Sequence, residues 1–153
     1  MNDRRRKFLN AAGALAAGLA AGLLKPVLAF AAVWNKDAFG AKTAGDALKA
    51  IGAAIAAPSK DIVIEAPQIA ENGAVVPIEI LSNLPGTKSI AVLIEKNPFP
   101  LAARFDFMDG ALPFIKINVK MGETSDVRVI AEAGGKHFVA TKEIKVTIGG
   151  CGG

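Results

Sequence analysis

The sequence has few of the side chains from which catalytic and metal sites are built. Its 153 residues include one histidine, one cysteine and no tyrosine. A single cysteine cannot form a disulfide within the chain, and a lone histidine makes a poor metal site because zinc requires three or four ligands. The acidic residues lack the spacing of a calcium loop or of a glycosidase carboxylate pair. We therefore expect no catalytic residues, no metal and no cofactor, and we interpret the histidine, His137, as structural.

Positive charge is concentrated at the N-terminus. The formal net charge is +4, but the first 31 residues hold five of the eighteen basic residues and one of the fourteen acidic ones. Residues 32–153 therefore hold thirteen of each sign and are formally neutral. Without a cluster of lysine and arginine to contact phosphates, this part of the chain is not expected to bind nucleic acid.

Residues 1–31 have the pattern of a cleaved export signal. A basic start precedes an apolar run at 11–24, the helix-breaking Pro26, and small residues at Ala29 and Ala31 that form an A-x-A cleavage site. The run of 14 residues is shorter than the roughly 20 needed to span a bilayer as a helix. We expect cleavage after Ala31 and no stable membrane anchor.

Within this signal, the stretch RRKFL resembles the twin-arginine export motif R-R-x-F-L. Arg5, Arg6, Phe8 and Leu9 match the motif, whereas Asn10 stands where the motif prefers lysine. We predict export by the twin-arginine pathway. An ordinary secretory signal would also carry the protein out of a bacterial cytoplasm, so both interpretations predict export.

Residues 32–58 are predicted to form an N-terminal helical segment. Leu48, Ile51 and Ile55 recur at the spacing of one helix face, with Asp46 turned away, and Pro58 ends the pattern.

Residues 59–148 change to a period of two. Apolar residues alternate with polar ones in runs centred at 62–64, 76–80, 90–94, 103–107, 115–119, 127–129, 138–140 and 144–148. Turn signals such as Asn72-Gly73 and Gly134-Gly135 separate these runs at intervals of about ten residues. The pattern predicts an all-β fold, an immunoglobulin-like antiparallel β-sandwich held by hydrophobic packing. Pro77 indicates an edge strand or a bulge.

The chain ends in GGCGG, residues 149–153, where Cys151 has Gly149 and Gly150 before it and Gly152 and Gly153 after it. Glycine has no side chain and permits backbone angles that other residues avoid, so we predict a thin, flexible arm. If the last strand ends at Ile148, Cys151 can stand about 10 Å beyond the fold, at about 3.3 to 3.6 Å per residue.

Cys151 has no lysine, arginine or histidine beside it to activate its thiol. An unpaired cysteine in an oxidising compartment either links two chains or is retained for its sulfur chemistry. Three interpretations follow from the residues: a covalent carrier arm, a disulfide-linked assembly, or an inert tail.

The ending GGCGG resembles the C-terminal signature of the SoxY family, the sulfur carriers of the bacterial thiosulfate-oxidising Sox system. The stretches KDIVIEAPQIAENGAVVPIEI, SIAVLIEKNPFPLAARFDF and GGKHFVATKEIKVTIGGCGG are similar to the same family. The resemblance covers most of the chain after the signal. It is weakest before Pro58 and in MDGALPF.

The resemblance implies a periplasmic carrier that is not an enzyme. Cys151 would bind sulfur intermediates covalently, as adducts such as the S-thiosulfonate. The implied partner is SoxZ, in a heterodimer or in a higher or cysteine-linked assembly, with transient contacts to SoxAX, SoxB and a sulfane dehydrogenase, which hold the metals and haems. The alternative function is a non-catalytic periplasmic binding module whose tail cysteine forms a disulfide-linked dimer.

Overall fold

The computed structural model of the protein describes residues 34–148, which contain two short helices and nine strands. All of these elements belong to one compact unit that begins at Asn35. The predicted export signal, including Arg5, Arg6, Phe8 and Leu9, lies outside the described residues, and so does the tail at 149–153.

The helices are α1 (Lys36–Gly40) and α2 (Ala44–Ala50). The strands are β1 (Ala57–Pro58), β2 (Ile62–Glu65), β3 (Ile69–Ala70), β4 (Val76–Ser82), β5 (Thr87–Ile94), β6 (Leu101–Asp106), β7 (Phe114–Val119), β8 (Ser125–Ala133) and β9 (Lys136–Val146).

The strands form two sheets, as the alternating pattern predicts. The larger sheet has the order β1-β9-β8-β5-β6, and β3 pairs with β9 in addition. The smaller sheet has the order β2-β4-β7. Neighbouring strands are antiparallel, except that β1 and β3 run parallel to β9. The prediction of an immunoglobulin-like β-sandwich is confirmed.

The core lies between the two sheets and is built by the alternate residues of the long strands. Ile78 and Ile80 of β4 are fully buried, as are Val92 of β5 and Val129 of β8, which pair directly across the larger sheet. Each such side chain contributes roughly 1.5–3 kcal/mol when it is removed from water. Apolar burial of this kind stabilises the sandwich, which has no disulfide within the chain.

The helices form a third layer on the outer face of the larger sheet. Ala47 and Leu48 of α2 pack in one cluster with Leu93, Leu101 and Ile130. Leu93 and Ile130 point away from the core between the sheets because strand side chains alternate between faces. Within residues 34–148, no helix is long and apolar enough to cross a membrane.

The prediction that Leu48, Ile51 and Ile55 share one helix face is wrong for Ile55, because α2 ends at Ala50. Gly52 adopts a φ of 76°, its amide donates to the carbonyl of Lys49, and the amide of Ala53 donates to the carbonyl of Leu48. This pair of hydrogen bonds is the Schellman ending of a helix, which glycine favours because it tolerates positive φ. Ile55 is consequently 91% exposed and outside the helix.

Two predicted strands at the end of the chain are a single strand, β9, of 11 residues. The polar residues between the two apolar runs broke the period of two in the sequence. Lys142 occupies an inward position in the register, between Ala140 and Ile144. Its amine donates to the carbonyls of Ile64 (3.3 Å) and Ala66 (2.9 Å). β9 can therefore include a charged residue at an inward position, because backbone carbonyls accept the hydrogen bonds of its amine.

Pro77 lies in β4, the central strand of the smaller sheet, and neither pairing of β4 shifts register, so the prediction of an edge strand or a bulge is wrong. β2 pairs only with residues 79–82 of β4, whereas β7 pairs with residues 76–81. Pro77 therefore has one neighbouring strand, at Asn118, and its missing amide proton is tolerated at a locally open position.

Candidate functional site

The predicted site residue Cys151 and its flanking glycines Gly149, Gly150, Gly152 and Gly153 lie outside the described residues. The structure describes the segment from which this tail continues, the last four residues before it. We call residues 145–148 the tail root.

The tail root extends past its antiparallel neighbour. β9 pairs with β8 from Lys136, opposite Ala133, as far as Ile144, opposite Ser125. β8 begins at Ser125, so the backbone groups of the root need other partners if they are not to be left unsatisfied.

On one side, the root is bound by the segment around β3. The amide of Lys145 donates to the carbonyl of Gln68 (3.0 Å), and the amide of Thr147 donates to the carbonyl of Ala70 (3.1 Å). The hydroxyl of Thr147 also donates to the carbonyl of Glu71 (3.0 Å). This segment thus takes the place of a neighbouring strand along the root.

A threonine and a glycine provide further partners for the root. The hydroxyl oxygen of Thr124 accepts from the amide of Val146 (2.9 Å). The carbonyl of Ile148 accepts from the amide of Gly73 (2.8 Å), whose own carbonyl accepts from the amide of the fully buried Met121 (2.7 Å). Hydrogen bonds therefore hold the backbone as far as Ile148, the residue immediately before the tail.

The loop next to the root is braced by an asparagine. The side chain of Asn97 donates to the carbonyl of Lys120 (2.7 Å) and accepts from the amide of Gly122 (3.2 Å). The backbone amide of Lys96 donates to the hydroxyl of Ser125 at the start of β8 (3.1 Å). The loop that carries Thr124 is thereby tied to the loop between β5 and β6.

The structure does not bring His137 near the tail root. This partly buried histidine lies at the start of β9, opposite Glu132 of β8. Ten residues of extended strand separate it from Thr147, about 33 Å at 3.3 Å per residue. Among the described residues, no three histidine, cysteine, aspartate or glutamate side chains are close enough together to hold a metal ion. The expected absence of a cofactor stays a prediction.

An exposed ion pair lies on the outer face of the smaller sheet. The carboxylate of Glu79 raises the pKa of Lys116 above its ordinary value of 10.5, mainly by accepting a hydrogen bond from the amine and also by its charge. The two residues face each other across β4 and β7. The shift is the result of this exposed ion pair.

A depression of about 300 Å³ lies at the end of the sandwich opposite the root. Its lining includes Ser82, Thr87, Phe107 and Pro113. The hydroxyls of Ser82 and Thr87 are hydrogen-bonded to each other (2.7 Å), and that of Thr87 donates to the carbonyl of Leu84 (2.8 Å). These two hydroxyls are therefore already occupied within the fold.

Sequence reasoning did not find the partners of the tail root. β3 has two residues, too few for a period of two to be visible. Thr124 lies among other polar residues in the stretch GETSD, and Thr147 is a single polar residue between Val146 and Ile148, so neither is distinctive in the sequence. The only local signal was the turn at Asn72-Gly73, where the structure places the amide that binds Ile148.

The sequence profile of the family described as "Sulfur oxidation protein SoxY" matches residues 47–151. The match thus begins within α2, includes every strand and ends at Cys151.

Among solved structures, the chain is similar to the sulfur carrier protein SoxY from Chlorobium limicola f thiosulfatophilum. The two are 35% identical, with a TM-score of 0.64, over 74% of this chain and 99% of that one. A second similar structure is a superoxide reductase (neelaredoxin) from Ignicoccus hospitalis, at 22% identity and a TM-score of 0.48, over 68% of this chain and 92% of that one. No curated protein matches the sequence.

Proposed function

The chain belongs to the SoxY family of sulfur oxidation proteins, and on that premise we propose that it is a periplasmic carrier that binds thiosulfate-derived sulfur covalently on Cys151. Family membership supports a role as a sulfur carrier and implies a partner within the Sox system. The observation that carries the proposal is the position of the root, where hydrogen bonds hold the backbone up to Ile148 and the single cysteine follows three residues later.

The proposed division of labour follows from what surrounds the cysteine in the sequence. Cys151 has glycine on both sides and no basic neighbour, so the chain supplies reach and leaves activation of the thiol to other proteins. A sulfur that visits several active sites in turn benefits from a narrow support, because a bulky side chain beside it would have to fit every channel. In this proposal the protein is not itself an enzyme.

The proposed loading step joins the sulfur of Cys151 to the outer sulfur of thiosulfate. A sulfur–sulfur bond forms, the thiol loses its proton, and two electrons leave to the haem enzyme SoxAX; the product is the S-thiosulfonate of Cys151. SoxB would then add water to break the bond between the terminal sulfonate and the adjacent sulfur. This releases sulfate and leaves a persulfide on Cys151.

The proposed setting is the periplasm, reached by the twin-arginine pathway that Arg5, Arg6, Phe8 and Leu9 indicate. SoxZ is the proposed stable partner, and the sulfane dehydrogenase is the proposed enzyme for oxidising the persulfide sulfur. The formally neutral composition after the signal supports protein partners over nucleic acid.

Intact-protein mass spectrometry tests the carrier function. Protein isolated from cells that are oxidising thiosulfate should carry sulfur-containing adducts on the C-terminal peptide, and these adducts should disappear without thiosulfate. The matched variant Cys151→Ser should carry no adduct and should stop thiosulfate oxidation.

The alternative function, a binding module linked as a dimer by its tail cysteine, gives a different result. In that case only free thiol and simple dimer would be found during thiosulfate oxidation. Cys151→Ser would then abolish the dimer and leave sulfur oxidation unchanged.

A further inference from the structure

The two methionines that follow the predicted export signal lie in opposite environments. Met108 is 86% exposed, in the loop that joins β6 to β7, whereas Met121 is fully buried in the core between the sheets. A thioether sulfur reacts with an oxidant only where the oxidant can reach it. The same chemical group is therefore offered to solvent at one position and protected at the other.

The exposure of Met108 belongs to an ordered turn. The amide of Ala111 donates to the carbonyl of Met108 (3.0 Å), and Gly110, at the third position of this turn, adopts a φ of 81°. Further along the loop, the amide of Phe114 donates to the carbonyl of Leu112 (2.8 Å). These hydrogen bonds define the backbone on which the side chain of Met108 is presented, so its sulfur is accessible without any opening of the sandwich.

Met108 also lines the depression of about 300 Å³ at the end of the sandwich opposite the root, together with the charged residues Lys88 and Asp109. Among residues 34–148, neither of these two charged side chains takes part in an ion pair. The amine of Lys88 is therefore a hydrogen-bond donor without a carboxylate partner. A small polar oxidant can enter such a depression, and a polar product can be solvated in it.

From these observations we propose that Met108 is an oxidative modification site, at which a hydroperoxide converts the thioether to a sulfoxide. The sulfur attacks the outer oxygen of the hydroperoxide, a sulfur–oxygen bond forms, and the oxygen–oxygen bond breaks. The sulfur loses two electrons, and the proton of the transferred oxygen moves to the departing oxygen. The oxidant is thereby reduced to an alcohol, or to water when it is hydrogen peroxide. Methionine sulfoxide reductases reverse this change, so the modification is reversible.

The fold can accept the sulfoxide at Met108 but not at Met121. At Met108 the new oxygen accepts hydrogen bonds from water, so no polar group is buried without a partner. Leu112, which is 70% exposed, and Phe114, which is 44% exposed, follow in the same stretch of chain. Oxidation therefore makes the most exposed of three apolar side chains polar and leaves the core unchanged. At Met121 the same oxygen would enter the apolar core and destabilise it.

The test treats the folded chain, with Cys151 first blocked by iodoacetamide, with hydrogen peroxide. Peptide mass spectrometry then follows the added oxygen atom at each methionine. Met108 should be oxidised at least about a hundredfold faster than Met121, because Met121 reacts only when the core opens. The oxidised chain should elute earlier from a hydrophobic-interaction column and unfold at an unchanged temperature. Treatment with both epimer-specific methionine sulfoxide reductases should reverse the changes in mass and elution.

Two matched variants assign these changes to one sulfur. Met108→Leu keeps an apolar side chain of similar size but has no sulfur, so it should take up no oxygen while folded and should keep its elution position. Met121→Leu makes the same change in the core and should be oxidised and elute as the wild type does.

Three results would overturn the proposal. Equal rates of oxidation at Met108 and Met121 in the folded chain would show that exposure does not select the site. Met108 left unoxidised by hydrogen peroxide would show that its sulfur is not accessible. A fall in the unfolding temperature that accompanies oxidation of the wild type and is absent in Met108→Leu would show that the sulfoxide damages the fold. Because Cys151 is blocked throughout, none of these results depends on the proposed carrier function.

Discussion

The interior of the sandwich and the root of the tail are held together by different interactions. The interior consists of apolar side chains such as Ile80, Val92 and Val129, all without exposed surface. The root is a short piece of backbone bound by hydrogen bonds to the segment around β3 and to Thr124. The interior therefore determines whether the protein is folded, whereas the root determines where the tail begins. Two substitutions separate these contributions, and a third measures an exposed ion pair that belongs to neither region. They follow from the largest expected effect to the smallest.

Removing one side chain from the interior should produce the largest effect. Ile80→Ala leaves a cavity between the sheets and should lower the free energy of unfolding by about 2–5 kcal/mol. Ile55→Ala makes the same chemical change at a side chain that is 91% exposed, and it should change stability by no more than about 0.5 kcal/mol. Urea unfolding of both variants measures the difference. Equal losses in the two variants would contradict the assignment of the core.

Removing one hydroxyl from the root should produce a smaller and more local effect. Thr124→Val removes the acceptor of the amide of Val146 and should cost about 1 kcal/mol. Hydrogen exchange should quicken at the amides of residues 145–147, while the amide of Val92 is little affected. Thr124→Ser keeps the hydroxyl and should restore slow exchange. Equal acceleration at Val92 and in the root would show that the root is not a separate unit of stability.

The ion pair between Lys116 and Glu79 should show the smallest effect on stability, because it is exposed to solvent. Glu79 raises the pKa of Lys116, so the pair stabilises the fold fully below the ordinary lysine pKa of 10.5. That contribution is lost as the pH rises through the raised pKa of the folded protein. An NMR titration of Lys116 should have its midpoint above the ordinary value, and Glu79→Gln should return it there. An unchanged midpoint in Glu79→Gln would exclude Glu79 as the cause.

The parts of the fold predicted from sequence are those that depend on local periodicity. The strands β4, β5 and β7 were predicted because apolar residues at alternate positions indicate a strand with one buried face. In β4, for example, Ile78 and Ile80 are buried while the residues between them are more exposed. The end of α2 was missed because Ile55 continues the helical spacing beyond Gly52, where the chain turns. β9 was predicted as two strands because the sequence does not show what accommodates Lys142 in its middle. The partners of Lys142 are the distant carbonyls of Ile64 and Ala66.

The distinction between local sequence pattern and distant contacts also applies at the candidate site. The sequence by itself determined the chemistry of the tail, because one cysteine among four glycines has its properties from its immediate neighbours: a single thiol, little bulk and a reach of about 10 Å. Only the tertiary structure determined the point from which the tail extends, which is the hydrogen-bonded backbone at Ile148. The partners of the root, at Gln68, Ala70, Gly73 and Thr124, are 22 to 77 positions away in sequence. They contact the root because the packing of the two sheets brings them there, and no local pattern in the sequence indicates these contacts.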